Sequence, residues 1–343
     1  MGLLSWLKPN PIEAPKLAER APVRGAQPPP TAVASAQAPA SWAARPPEPD
    51  AGALASFLTA EVTRVTSELR DSLGRGHDAA DSLELLDSLG AGVDGVIRRP
   101  PLAAQQALAA CRDPNTSLGQ ILESFHQDPA LTQALLKHAN SPFYSTGGPV
   151  SSLQEAAQRV GLGGLNSVLL TAIVEGLLCR PGGDFGAMVQ QVWTHMVRTA
   201  PAARRLARVA KVPQEAAYTL GLLHDLGKLI VFDRLTAQRT AARHTSRVSR
   251  AFLSSLLASV HGPLGGLAAL AWNLEPDAAR AIATHPRQAI RYQGERMSQV
   301  LAVAEWADIT TVRDQVRDFE ALWLRAGIEL NLDECRAALE EGR

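Results

Sequence analysis

The chain has 343 residues, and its 34 basic and 34 acidic side chains cancel to a formal charge of zero. With 46% apolar and 20% charged residues it has the composition of a globular chain, long enough for about two domains. Zero net charge excludes a generally basic coat for nucleic acid, and 5% aromatic content excludes a stacking platform for single strands.

Residues 1–50 hold eleven of the 23 prolines. Pro28-Pro29-Pro30 and Pro46-Pro47 forbid helix and sheet alike, so this stretch reads as a disordered Pro/Ala-rich leader or tether. Its start, Met1-Gly-Leu-Leu-Ser-Trp-Leu-Lys8, is apolar but short. It lacks the charged and long apolar regions of a signal peptide and suits at most weak contact of residues 1–8 with a membrane. No apolar run approaches the ~18 residues of a membrane span. From Ala51 the pattern turns helical, with Phe57, Leu58, Val62, Val65 and Leu69 on one stripe. Gly74-Arg-Gly76 breaks it, and Leu83 to Leu89 follow as a second apolar stretch. Residues 51–97 therefore read as a helical hairpin or as a docking segment.

From Arg98 the chain reads as nearly continuous helix. Ser117 and Gln120 have the spacing of a capping box, as do Ser152 and Glu155. Asp128-Pro129 is an N-cap followed by proline at the first helical position, and that helix ends near Asn140-Ser-Pro142. Gly161 reads as a helix stop. Pro213 opens a helix carrying Leu220, Leu223, Leu226 and Leu229-Ile230, and Pro276 opens another. No useful segment alternates with period two, so the expected class is all-α. Trp193, Trp272 and Trp306 read as core anchors. Cys111, Cys179 and Cys335 match no zinc or disulfide spacing and read as reduced thiols.

Histidine and aspartate mark the candidate chemistry. His195 lies in Val192-Trp-Thr-His-Met-Val197 and His224-Asp225 in Leu222-Leu-His-Asp-Leu-Gly-Lys-Leu229. His261 precedes Gly-Pro, and His285 is followed by Asp308. Imidazole nitrogen with carboxylate oxygen suits zinc, iron or manganese. An adjacent His-Asp pair on one helix points about 100° apart and can share one ion or touch two. Lys228, one turn beyond His224, can hold a phosphate oxygen as a point charge. A single histidine on an apolar helix is ordinarily a packed core residue; the set is more informative than any member.

Other signals are weaker. Residues 234–274 contain no acid. Arg239, Arg243 and Arg247 follow at intervals of four and Arg250 comes next, so a helix there would present a basic face for an anion or a partner, or a solvated surface. Gly182-Gly-Asp-Phe185 reads as a turn. Gly161-Leu-Gly-Gly164 has no strand before it and is not a dinucleotide loop.

His195, His224-Asp225 and Asp308, in that order, resemble the H…HD…D signature of the HD superfamily of metal-dependent phosphohydrolases. Asp128-Pro-Ala-Leu-Thr132, Leu135-Leu-Lys-His-Ala-Asn-Ser-Pro-Phe-Tyr144, Pro149-Val-Ser-Ser-Leu153 and Gly221-Leu-Leu-His-Asp-Leu-Gly-Lys228 are similar to the HDOD domain of bacterial signalling proteins. Trp272-Asn-Leu274 and Ala281-Ile-Ala-Thr-His285 extend the likeness. The resemblance implies an all-helical HD-like bundle with an N-terminal helical lobe. The HDOD domain would span 98–292, with closing helices over 293–343. It implies a cytoplasmic signalling protein that works by contact with other signalling proteins, biased by bound metal or nucleotide. Nucleic acid is not an expected partner. The alternative is a metal-dependent phosphohydrolase acting on a nucleotide or phosphate ester. His195, His224, Asp225, His261, His285 and Asp308 line up with the metal ligands of the related HD-GYP phosphodiesterases. The chain departs from those enzymes at Pro286, where they carry a second histidine, and in lacking the Gly-Tyr-Pro motif.

Overall fold

The computed structural model describes residues 50–73, 79–90, 93–113, 115–141, 144, 147–179, 184–242, 248–285, 296–313, 323 and 327–341. Among these every regular element is a helix and no strand occurs, as the sequence pattern predicts.

The chain enters helix α1 (Ala51–Ser72) through Asp50, whose side chain accepts from the Ala53 amide. The buried stripe of α1 is Leu54, Leu58, Val62, Val65 and Thr66. It packs on α2 (Ala79–Gly90) and on α11 (Arg250–Ala271) of the bundle centre. Gln238 of α10 (Leu226–Ala242) donates to the Asp81 carbonyl and to Glu84 of α2. The 51–97 segment is thus a helical hairpin seated on the core helices. The short α3 (Val93–Val96) leads out of it.

Four helices form the N-terminal lobe: α4 (Leu102–Arg112), α5 (Leu118–His126), α6 (Pro129–Ala139) and α7 (Leu153–Leu178). Ser117 and Gln120 close a reciprocal capping box on α5. Asp128 caps α6 ahead of Pro129, leaving few orphan amides at either start. Ser152 caps α7 by accepting from the Glu155 amide. Gly161 stops the helix as the sequence predicts: at φ 70°, ψ 179° its backbone is non-helical, and the second helical stretch of α7 begins directly after it. A glycine is needed there because only it adopts positive φ freely.

The bundle core is α8 (Gly186–Ala210), α9 (Gln214–Leu223), α10, α11, α12 (Pro276–Thr284) and α13 (Arg296–Arg313). Helices α8 and α9 form an antiparallel hairpin through Lys211, which sits in the left-handed region at φ 55°. The leucine run after Pro213 is not one helix. It breaks at His224-Asp225, with α9 before and α10 after. The closing α14 (Leu332–Glu340) packs on α8, and Leu206, Ala207, Val300, Val303, Trp323 and Cys335 share one buried cluster there.

Helices α7 and α11 are long and apolar enough to cross a membrane by length and composition, although no unbroken apolar run marks them in the sequence; both are largely packed against the protein, as core helices are. Trp193 and Trp272 are buried, and the Trp272 indole donates to the Arg98 carbonyl at 2.9 Å. Trp306 packs beside the C-terminal cluster. Burial raises all three thiols, Cys111, Cys179 and Cys335, to about 12, so they are unreactive packing residues.

Of the four arginines of the predicted basic face, Arg239 lies in α10, which is described as far as Ala242, and Arg250 begins α11. Arg239 is ion-paired with Asp184 and lies over the Phe185 ring at 4.6 Å. Arg243 and Arg247 lie outside the described residues. So do Gly182 and Gly183; Asp184 and Phe185 are in a turn that opens α8.

Candidate metal centre

Two glycine contacts bring the site together. A Cβ on Gly227 would stand 2.0 Å from the His261 carbonyl oxygen, so α10 and α11 touch backbone to backbone just below the His-Asp pair. A Cβ on Gly221 would stand 2.8 Å from Ala200 Cα, so α9 lies equally close to α8. These crossings place His195 on α8, His224 and Asp225 at the α9–α10 break, His261 on α11 and His285 at the end of α12 around one point.

Each imidazole is fixed through Nδ1. His224 Nδ1 lies 2.9 Å from the Gly221 carbonyl, His261 Nδ1 2.5 Å from Leu257 and His285 Nδ1 2.6 Å from Ile282. His195 Nδ1 lies 2.8 Å from Asp308 Oδ2. Carbonyl and carboxylate oxygens only accept, so the assigned tautomer carries its proton on Nδ1 in all four rings. Four Nε2 lone pairs therefore point inward.

Asp225 sits at their focus, 2% exposed. Its Oδ2 is 3.5 Å from His224 Nε2, 3.9 Å from His195 Nε2 and 2.7 Å from Lys228 Nζ. Its Oδ1 is 3.7 Å from His261 Nε2 and 3.6 Å from His285 Nε2, and has no hydrogen-bond partner. Each carboxylate oxygen thus faces one pair of imidazoles. The two sets, His195–His224–Asp225 and Asp225–His261–His285, share the aspartate.

Burial alone would push the Asp225 carboxyl up. The Lys228 ammonium and His224 outweigh it and hold Asp225 well below the usual carboxylate range, so it is ionised. Burial, with the Lys228 charge, holds His261 far below the ordinary imidazole value, so it is neutral. A neutral imidazole and an ionised carboxylate are the forms that ligate metal.

The donor set fits divalent ions. His195 Nε2 and His224 Nε2 stand 3.1 Å apart, two acceptors face to face. A divalent ion beside them, or a proton shared between them, relieves that arrangement. The separations of 3.1 to 3.9 Å are those of atoms that share one ion at about 2.0–2.2 Å.

The sequence-predicted residues fall into three positions. His195, His224, Asp225, His261 and His285 converge. Asp308 reaches the group through His195 Nδ1 rather than through Asp225. Lys228 lies against Asp225, at the more open side: His195 is 18% exposed, Lys228 and Asp308 12%, and His224 0%. Sequence reasoning missed the fully buried Arg204 and its partner Glu215, whose signal was an arginine within an alanine-rich core helix.

Comparisons agree with this architecture. Residues 97–288, more than half the chain, match the HDOD domain. A provisionally named metal-dependent phosphohydrolase of Shewanella amazonensis superposes with a TM-score of 0.58 at 19% identity, covering 83% of this chain and 100% of that one. An HDOD domain protein of unknown function from Geobacter sulfurreducens superposes at 0.51 with 19% identity, covering 81% and 93%. A Treponema pallidum protein without an assigned role is 26% identical over 207 residues, which is 59% of this chain but only 39% of that protein. At these identities the superpositions establish the HD-like helical fold, and the sequence match over residues 97–288 places the chain in the HDOD domain family.

Proposed function

We propose that the chain is a bacterial signalling module whose HD-like core binds divalent metal and whose output is contact with other signalling proteins. The observation that carries the metal reading is the orientation of the four imidazoles. Every Nδ1 is spent on a carbonyl or on Asp308, and every Nε2 faces Asp225 or another Nε2. The four Nε2 atoms gather on one buried carboxylate, an arrangement in which imidazoles held through Nδ1 can share an ion. His195 and His224 would hold one ion and His261 and His285 a second, with Asp225 between them. Iron, manganese and zinc all suit this nitrogen-and-oxygen set. The three thiols, unreactive and unpaired by disulfides, suit a reducing cytoplasm.

A second reading, hydrolysis of a nucleotide or another phosphate ester, is favoured by Lys228. A divalent ion bound here supplies a Lewis acid and a more acidic water. Lys228 lies on the open side of the cluster with its ammonium 2.7 Å from Asp225, in reach of a phosphate oxygen at the same edge.

Elemental mass spectrometry on untagged protein, from cells supplied with iron and manganese, tests the primary reading. Near-stoichiometric metal that disappears in Asp225→Ala is expected. A well-folded wild-type protein without metal would overturn it. Screening phosphate esters with the loaded protein then separates the two readings, since partner contact survives in a variant that has lost only turnover.

A further inference from the structure

A second polar cluster, built around a buried arginine and a half-exposed glutamate, lies at the closed end of the α8–α9 hairpin. Arg204 of α8 is only 1% exposed, and its Nη2 donates to Glu215 Oε2 of α9 at 2.5 Å. Its guanidinium carbon lies 4.1 Å from the centre of the Tyr218 ring and 5.2 Å from that of Tyr144. The Ser167 hydroxyl of α7 donates to Glu215 Oε2 at 3.0 Å, and the Tyr144 hydroxyl reaches Glu215 Oε1 at 3.4 Å. Tyr144 and Ser167 belong to the N-terminal lobe; Arg204, Glu215 and Tyr218 belong to the core hairpin. One carboxylate therefore joins the two.

The lobe is shaped for this contact. A Cβ on Gly163 would stand 2.4 Å from Glu215 Cγ, and one on Gly164 would stand 3.0 Å from the Tyr144 hydroxyl. The glycines that follow the α7 kink are thus the gap through which Glu215 and Tyr144 meet. The Gly161-Leu-Gly-Gly164 motif and the tyrosine of the Asn140–Tyr144 stretch serve one junction.

The same hairpin carries the first metal set at its other end. His195 and Arg204 are about 14 Å apart along α8, and Glu215 and His224 are about 14 Å apart along α9. The two helices are also in backbone contact at Gly221 and Ala200, so a tilt at Arg204–Glu215 is passed across that contact to His195 and His224. A small change of angle at Arg204–Glu215 alters the 3.1 Å separation of His195 Nε2 and His224 Nε2. We infer that Arg204 and Glu215 are positioning residues through which the seating of the N-terminal lobe sets the separation of His195 and His224, and with it the affinity of that pair for a divalent ion. The inference rests on the metal-binding reading for its affinity consequence, though not for the geometry.

Two measurements on the full chain test it. Cobalt(II) alone is titrated and read by its visible absorption, and the ring signals of His195 and His224 are followed by NMR in metal-free protein. The variants are Glu215→Gln and Arg204→Lys, with Tyr144→Phe and Ser167→Ala as milder forms should the first two not fold. Ile121→Val, in the lobe core away from the junction, is the control for lost stability. Cobalt binding about tenfold weaker than wild type, the scale on which outer contacts tune a site, is expected in the junction variants and not in the control. Shifts of both histidine signals before metal is added should accompany it. Folded junction variants with unchanged cobalt affinity and unmoved histidine signals overturn the inference, as does an equal loss in Ile121→Val. If wild-type protein binds no cobalt, the metal reading fails, and the histidine signals still decide whether the junction sets the pair.

Discussion

Asp308 holds His195 by the ring nitrogen that does not face Asp225, with Oδ2 2.8 Å from Nδ1. The carboxylate fixes the tautomer, turns the ring and raises the basicity of the inward nitrogen. It does for His195 what backbone carbonyls do for His224, His261 and His285. Replacing Asp308 with alanine frees the His195 ring. Metal affinity should fall by about 10- to 100-fold, while Asp308→Asn, which keeps an acceptor, should lose less. Isothermal titration with manganese measures both; equal losses would mean that Asp308 acts as a direct ligand.

Lys228 is the cation that balances Asp225 within the protein itself. Lys228→Met leaves a buried carboxylate uncompensated, at a cost of roughly 3 kcal/mol. The loss should be full in chelator and much smaller with saturating manganese, because a bound ion takes over the balancing charge. Urea unfolding under the two conditions is the check, and the same loss in both would contradict a metal beside Asp225.

Gly227 has no room for a side chain: the added methyl would meet the His261 carbonyl, carbon and Cα within 2.8 Å. These are backbone atoms, so the crossing must open. Gly227→Ala should cost about 3 kcal/mol or more, at the upper end of overpacking effects. It should also separate Asp225 from His261. A melting temperature equal to that of the wild type would refute the close crossing.

His138 lies against Tyr144 and Tyr218, and burial, with the nearby Arg204 charge, lowers it to about 4. The unfolded chain takes up a proton near pH 6.5, which native His138 refuses until about pH 4. Stability from this group is therefore level above pH 6.5 and is lost as pH falls towards 4, by up to about 3 kcal/mol. In His138→Phe the slope of stability between pH 6.5 and 4.5 should be shallower. Denaturant midpoints across that range measure it; parallel slopes would assign the acid sensitivity elsewhere.

The chemistry-bearing residues were legible because their types are rare on apolar helices. Local caps were legible too, since Ser117–Gln120 and Asp128–Pro129 act within one turn. The break at His224-Asp225 was hidden because leucines continue the helical period straight through it, while the close approach of Gly227 to His261 beside it joins residues far apart in sequence. Gly161 was legible as a stop; what stayed hidden is that a second helical stretch starts directly after it and packs on α9. Arg204 and Glu215 are eleven residues apart in unrelated surroundings, and only the hairpin turn brings them together.

The ligands of the candidate centre come from α8, the α9–α10 junction, α11 and α12, so no fragment and no partly folded state presents the set. An ion that binds only the assembled protein adds stability as RT ln(1 + [L]/Kd), about 2.7 kcal/mol at a hundredfold excess over Kd. On the metal-binding reading, the population of open, protease-sensitive chains would fall as free metal rises, and the abundance of the protein in the cell would follow metal supply through turnover of the chain.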